Sequence, residues 1–231
     1  MEESHPEAAW DERSRRHYRF VLERMIRLGL PGSPPRILDF GCGAGAFLSV
    51  AKSMELDVEG LEVSRELAAR TARRVGVRVF DQPLPHPRFP ERPVSAVFSS
   101  MVFEHLTDPL GTLRVLTRTL LPDGLVVVEV PNALDIRERL RRGSTLDDSH
   151  LFYLSRFSIG RLFREAGIRL LRVEEGLRLH RLSARLGVEL PFALASALER
   201  FARAAGICTS LTAYGRRIGP EFYGRMRTAH P

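Results

Sequence analysis

Ile37-Leu38-Asp39-Phe40-Gly41-Cys42-Gly43-Ala44-Gly45-Ala46-Phe47-Leu48 is an apolar run that enters three alternating glycines and leaves in a helical pattern. Glycine has no Cβ, so it permits the tight turn and lets backbone come close to a ligand. The helix behind the loop aims its unpaired amides at the same spot. A strand-to-helix turn with no ligand is the plain alternative, but three glycines so close together destabilise a turn that other residues could make. The pattern therefore predicts a ligand at the mouth of a parallel sheet.

Which ligand depends on the neighbours. Gly41, Gly43 and Ala46 fit the dinucleotide pattern G-x-G-x-x-G/A, while Gly41, Gly43 and Gly45 fit the G-x-G-x-G loop of S-adenosylmethionine sites. Asp39 separates the two. A carboxylate there repels a pyrophosphate and suits a ligand carrying an ammonium and a sulfonium. Cys42 lies within the loop and belongs to the same candidate set.

Further candidates lie at later strand ends. Glu62 follows Gly41 by 21 positions and ends a second strand, Val58–Leu61. An acid in that place accepts hydrogen bonds from ribose hydroxyls. Val63 follows it. Asp81 ends a third strand and can accept from an adenine amino group with Gln82 beside it, or it caps the proline-rich loop that follows. Ser99 ends a fourth strand, Val94–Ser99, and Ser100 follows it, where the reacting groups are expected. Glu104-His105 reads either as acid/base or metal chemistry or as a backbone-anchoring pair. His150 follows Asp147-Asp148-Ser149. It is either a general base that reaches the acceptor or an anchor of its own loop. His150 and His105 are thus the candidate catalytic residues.

Around these motifs the chain reads as alternating strands and helices, which implies right-handed βαβ units. Residues 1–34 form a helical lead-in with Trp10, Tyr18, Val21, Leu22, Met25 and Leu28 at helical spacing. Residues 35–181 form the core. Its expected helices are Ala44–Glu55, Arg65–Arg74 capped by Ser64, Pro109–Leu121 and Ser155–Ala166 with Ser158 as cap. Its later strands are Val77–Phe80, Leu125–Val130 and Ile168–Val173. A further helix is expected at the start of Ala133–Ser149. Residues 182–231 read as a helical extension in which Leu194, Leu198, Phe201 and Ala205 share a face. This segment serves as lid, dimer surface or peripheral membrane contact.

Composition excludes several classes. The chain has 231 residues, 44% hydrophobic and 27% charged, as expected of a globular domain with a sizeable core. No apolar run reaches the roughly 18 residues of a membrane helix. The polar, acidic start Met1-Glu2-Glu3 is not a secretion signal. Cys42 and Cys208 make no disulfide framework, so a cytoplasmic location is expected. The net charge of +7 is carried almost wholly by arginine, since Lys52 is the only lysine.

Together these residues resemble the class I S-adenosylmethionine-dependent methyltransferases, in the small-molecule branch that includes the ubiquinone-type methylases. The resemblance covers about residues 35–175. It rests on the glycine loop, Glu62, the run Phe103-Glu104-His105-Leu106-Thr107-Asp108-Pro109, and Leu121-Pro122-Asp123-Gly124 leading to Pro131-Asn132. His150, Phe157-Ser158 and Ala166-Gly167 complete it. It implies a Rossmann-like, doubly wound α/β fold with a seven-stranded, mostly parallel sheet whose last strand is antiparallel. It implies S-adenosyl-L-methionine as cofactor and methyl transfer to O, N or C of a small-molecule acceptor by in-line displacement. Some quinone methylases bind a metal through an extra acid three residues before the Glu-His pair. Here that position is Met101, so no metal is expected. A nucleic-acid methyltransferase would fit the basic charge, but the fourth strand ends in Ser-Ser-Met-Val, which is no strong nucleic-acid signature. A non-catalytic partner that keeps the fold is the remaining alternative.

Overall fold

The computed structural model describes residues 12–83, 92–132, 150–176, 197–198, 201 and 210–218. Helix α1 (Glu12–Leu28) precedes an alternating series. The series runs β1 (Arg36–Phe40), α2 (Ala46–Ser53), β2 (Asp57–Leu61), α3 (Arg65–Val75), β3 (Val79–Phe80) and β4 (Val94–Ser100). A 3-10 turn at Phe103–His105 leads into α4 (Pro109–Thr119) and β5 (Leu120–Pro131). Then come α5 (Arg156–Glu165), β6 (Ile168–Gly176) and β7 (Ser210–Arg217).

The seven strands form one sheet in the order β3-β2-β1-β4-β5-β7-β6. β1 to β5 are parallel, and β7 lies antiparallel between β5 and β6. The parallel part is what the alternation implies, and the seven strands with an antiparallel last strand are what the family resemblance implies. The carboxyl ends of β1, β2, β4 and β5 therefore face one edge, where ligands of open α/β sheets bind.

Apolar residues fill both faces of the sheet. Val21, Leu22 and Met25 of α1 pack with Phe47, Leu48 and Ala51 of α2 over Ile37, Phe98 and Val127. Leu113 and Leu116 of α4 pack with Ile159 and Phe163 of α5 over Leu38, Val126 and Val128. β5 alternates between the two clusters, which is why Val126, Val127, Val128 and Val130 are all apolar, with Glu129 the one acid among them.

Several boundaries differ from expectation, each for a local reason. α2 starts at Ala46 because Gly45 takes a left-handed conformation (φ 80°) as its cap. α4 stops at Thr119 because Leu120 is already extended and pairs with Val94. The next pair is Ala96 with Leu125, so Leu121-Pro122-Asp123-Gly124 bulges out of the strand, with Asp123 at φ 58°. The cap of α5 is Ser155. Ser155 and Ser158 bond each other's backbone N–H in a capping box, which places Ser158 inside the helix.

The largest correction concerns residues 182–231. Ser210–Arg217 is not part of a helical extension but a strand in the sheet interior. Its sequence, Ser-Leu-Thr-Ala-Tyr-Gly-Arg-Arg, carries little β-branched content. Packing holds it in place instead. Leu211 and Ala213 join one core and Tyr214 the other. Gly215 fits because a Cβ would lie 2.4 Å from Ile168 Cγ2. Leu198 and Phe201 are helical as expected, while Trp10, Leu194, Ala205 and the helix expected within 133–149 lie outside the described residues.

Candidate functional site

The glycine loop is shaped by backbone that only glycine adopts comfortably. Gly41, Gly43 and Gly45 have φ of 75°, 50° and 80°. A Cβ on Gly41 would lie 2.3 Å from Val102 Cγ2, and one on Gly45 would lie 2.6 Å from Thr71 Cγ2. Gly43 is different, since a Cβ there would meet nothing within 4 Å. The loop is thus walled by protein at its two ends and open at its middle glycine.

Neighbouring elements hold it rigid. The Gly41 and Cys42 amides donate to Leu61 O at 2.8 and 3.0 Å, tying the loop to the end of β2. From α3, Thr71 Oγ1 donates to Gly43 O at 2.8 Å and Arg74 donates to Ala44 O. The Cys42 thiol is buried and turned toward Gly60, where burial, with Asp39 and Glu62 nearby, pushes its pKa up. Cys42 shapes the loop through backbone and is not a reactive thiolate.

Glu62 stands at the open middle. Gly43 N–H donates to its Oε2 and Ser64 N–H to its Oε1, both at 3.0 Å. A carboxylate has about four acceptor sites, so two remain for hydroxyls of a ligand. Asp39, at the end of β1, is buried beneath the loop. Its pKa is raised well above the ordinary carboxylate value, first by burial and then by the charges of Glu62 and Glu129. The negative charges of Glu62 and Glu129 acting on the buried Asp39 favour a cation there. An adenosyl ligand with a cationic amino-acid end fits these residues: Glu62 for ribose, the loop at Gly43 for close approach, and Asp39 for positive charge.

Asp81 ends β3 as expected, but Arg65 Nε lies 3.2 Å from its Oδ2, an ion pair exposed to solvent. Val63 and Gln82 are exposed. Ser99 departs from expectation. It is fully buried and its hydroxyl donates to Phe40 O at 2.9 Å, so it stitches β4 to β1 rather than facing reacting groups. Ser100 is only partly buried and pairs in register with Glu129.

The structure brings His105 and His150 together, which spacing alone did not suggest. Their rings stand 4.8 Å apart, and Tyr153 follows at 5.9 Å from His150. The Leu151 and Phe152 amides both donate to Glu104 O, at 2.7 and 3.1 Å, fixing the segment against the turn after β4. Glu104 is buried, with its Oε1 4.0 Å from His105 Nε2. Ligand atoms of Glu104, His105 and His150 lie within 4.8 Å of one another, a donor set that can hold a divalent cation once drawn together. The expectation of no metal considered only the position of Met101; the third donor comes from a distant segment.

Sequence reasoning missed His17 and Glu129. His17 Nε2 on α1 lies 2.8 Å from Glu129 Oε1, and Thr212 Oγ1 donates to the same oxygen at 2.9 Å. The available signal was an acid inside the apolar run Val126–Val130, since an unsupported buried carboxylate is costly.

Comparison with known proteins agrees with this geometry. A curated trans-aconitate 2-methyltransferase from Methylobacterium nodulans is 31% identical over 137 residues, 55% of this chain and 52% of that protein. The chain therefore spans about half the length of the curated relative it matches. Among solved structures, an S-adenosylmethionine-dependent methyltransferase from Clostridium acetobutylicum has a TM-score of 0.63 at 11% identity, covering 92% of this chain and 94% of that one. One from Archaeoglobus fulgidus has a TM-score of 0.60 at 17% identity, covering 88% and 94%. The (4+2)-cyclase SpnF reaches 0.64 at 20% identity, covering 92% and 85%, so at these identities the likeness concerns the fold. A family model described as a methyltransferase domain matches residues 11–173, and with the class I sheet this makes the chain a member of the S-adenosylmethionine-dependent methyltransferase family.

Proposed function

We propose that this protein transfers a methyl group from S-adenosylmethionine to a small-molecule acceptor. The observation that carries the proposal is Glu62, braced by the Gly43 and Ser64 amides beside the open middle of the glycine loop and near the buried Asp39. The matched trans-aconitate 2-methyltransferase supports a small acceptor, because its named substrate is one.

Bound S-adenosylmethionine supplies an electrophilic methyl on its sulfonium. The protein's part is alignment and charge. Glu62 holds ribose hydroxyls, and Asp39 favours the cationic end. The rigid loop fixes the donor, so that holding donor and acceptor in line lowers the entropic part of the barrier. For a hydroxyl acceptor, His150 takes the proton, with His105 and Tyr153 beside it to set its orientation. Exposed Leu151 and Phe152 next to this group offer an apolar rim to the acceptor.

Calorimetry with S-adenosylmethionine and, separately, NAD tests the donor assignment. Binding of NAD alone would overturn it. Transfer of labelled methyl into a panel of small hydroxy, amino and carboxylic acids, with tRNA and duplex DNA alongside, tests the acceptor class. Label entering only nucleic acid would overturn the small-molecule reading, and binding without any transfer would favour a non-catalytic role.

A further inference from the structure

Among the described residues, polar contacts fasten α1 to the sheet near both of its ends and in its middle. Near its amino end His17 meets Glu129. Seven residues later, on the same helical face, Arg24 Nη2 lies 3.0 Å from Glu174 Oε1. At its last turn Arg216 donates to Leu28 O. Glu129, Thr212 and Glu174 are register partners across β5, β7 and β6. Both carboxylates thus stand on one polar row beneath the helix.

The fastenings differ in what they adjoin. Arg216 is the register partner of Leu125, toward the amino end of β5. Glu129 lies at the carboxyl end, opposite Ser100. It stands close enough to Asp39 to act on that group's ionisation. Tyr18, next to His17, packs edge-on against Phe47 and Phe98, each at 5.9 Å between ring centres. Phe47 lies in the first turn of α2, directly behind the glycine loop. The His17 end of α1 therefore walls the donor side of the site, while Arg24 works against β6.

Their burial is also unequal. Glu129 is 2% exposed, but the His17 side chain is 46% exposed. A half-exposed imidazole bonded to a buried carboxylate can be removed without opening a core cavity, yet its loss takes one hydrogen bond from that carboxylate.

We propose that His17 is a positioning residue for the donor site: acting through Glu129, it holds the amino-terminal half of α1 closed beside the glycine loop. This rests on the assignment of that loop to S-adenosylmethionine.

The test compares full-length wild type with His17→Ala, His17→Gln and Arg24→Ala. Affinity for S-adenosylhomocysteine is read by calorimetry, and exchange of α1 amides is read without ligand. His17→Ala is expected to weaken binding about tenfold, the loss of one charge-assisted bond, and to speed exchange in the first turns of α1. His17→Gln can still donate to Glu129 and recovers most of the affinity. Arg24→Ala lowers the melting temperature and leaves affinity within about twofold of wild type. In turnover, the cofactor KM of His17→Ala rises while kcat holds. Unchanged affinity in His17→Ala, or an equal loss in Arg24→Ala, overturns the proposal. Failure of wild type to bind S-adenosylhomocysteine overturns the assignment of the loop instead.

Discussion

Replacing Glu62 by alanine separates two jobs done by one carboxylate. In the free protein each oxygen accepts one backbone N–H at 3.0 Å, from Gly43 and from Ser64. A hydrogen bond to a charged group contributes about 1.5–3 kcal/mol net. The Gly43 bond is partly buried and keeps that magnitude, whereas the Ser64 bond is exposed and screened to about 0.5 kcal/mol. Glu62→Ala should therefore lower unfolding free energy by about 2–3.5 kcal/mol without any ligand. The lost ribose contacts cost binding about 1–3 kcal/mol more, roughly a fivefold to 150-fold rise in Kd. Urea denaturation of the ligand-free protein reads the first number, and calorimetry with S-adenosylhomocysteine reads the second. Glu62→Gln should fall between wild type and alanine, because its oxygen serves one N–H while its NH₂ opposes the other. A ligand-free stability change below about 0.5 kcal/mol would refute the brace. A stability loss with unchanged affinity would show that Glu62 braces the loop without facing ligand.

Three other outcomes can be checked directly. Asp39 has its pKa raised, first by burial and then by Glu62 and Glu129, so folding favours its protonated form and ionisation costs stability as pH rises above the ordinary carboxylate range. Asp39→Asn should thus be more stable than wild type, with an advantage that grows with pH until Asp39 is ionised in the folded state. A melting-temperature difference that shrinks with pH would contradict this sign. At any pH where Asp39 is protonated in the folded protein, binding of a cationic ligand should also expel a proton from wild type but not from Asp39→Asn, seen as a buffer-dependent binding enthalpy. His150→Ala should cut turnover about 10²–10⁴-fold and spare cofactor affinity, while normal turnover removes His150 from proton transfer. Gly215→Ala should destabilise by about 1–3 kcal/mol through overpacking against Ile168 and Phe163, and an unchanged urea midpoint would argue against the position of β7.

How much could be read in advance depended on whether the signal was local. The glycine loop, the acid at the end of β2 and the alternation through β5 are encoded within windows of about ten residues, where periodicity and turn chemistry speak directly. β7 is not. Its buried Leu211-Thr212-Ala213-Tyr214-Gly215 owes its conformation to β5 and β6 on either side, and small residues with one glycine mimic other structures until packing is known. Ser99 shows a related failure. Its place at a strand end was right, but which way a side chain turns depends on the pleat, and here it turns to the carbonyl of Phe40. The pairings His105–His150 and His17–Glu129 join residues 45 and 112 positions apart, beyond any spacing rule.

The only lysine in the chain is spent on a helix end. Lys52 Nζ donates to the carbonyls of Val75 and Gly76, at 2.7 and 3.1 Å, closing the carboxyl terminus of α3. α3 is also the helix whose Thr71 and Arg74 grip the glycine loop. Amine-directed chemistry on this protein therefore has a single side-chain target, and that target sits one helix away from the donor loop. Acylating Lys52 would strip positive charge from the negative end of the α3 dipole. A dye or surface linker attached there would report on, or disturb, the loop rather than mark the molecule neutrally.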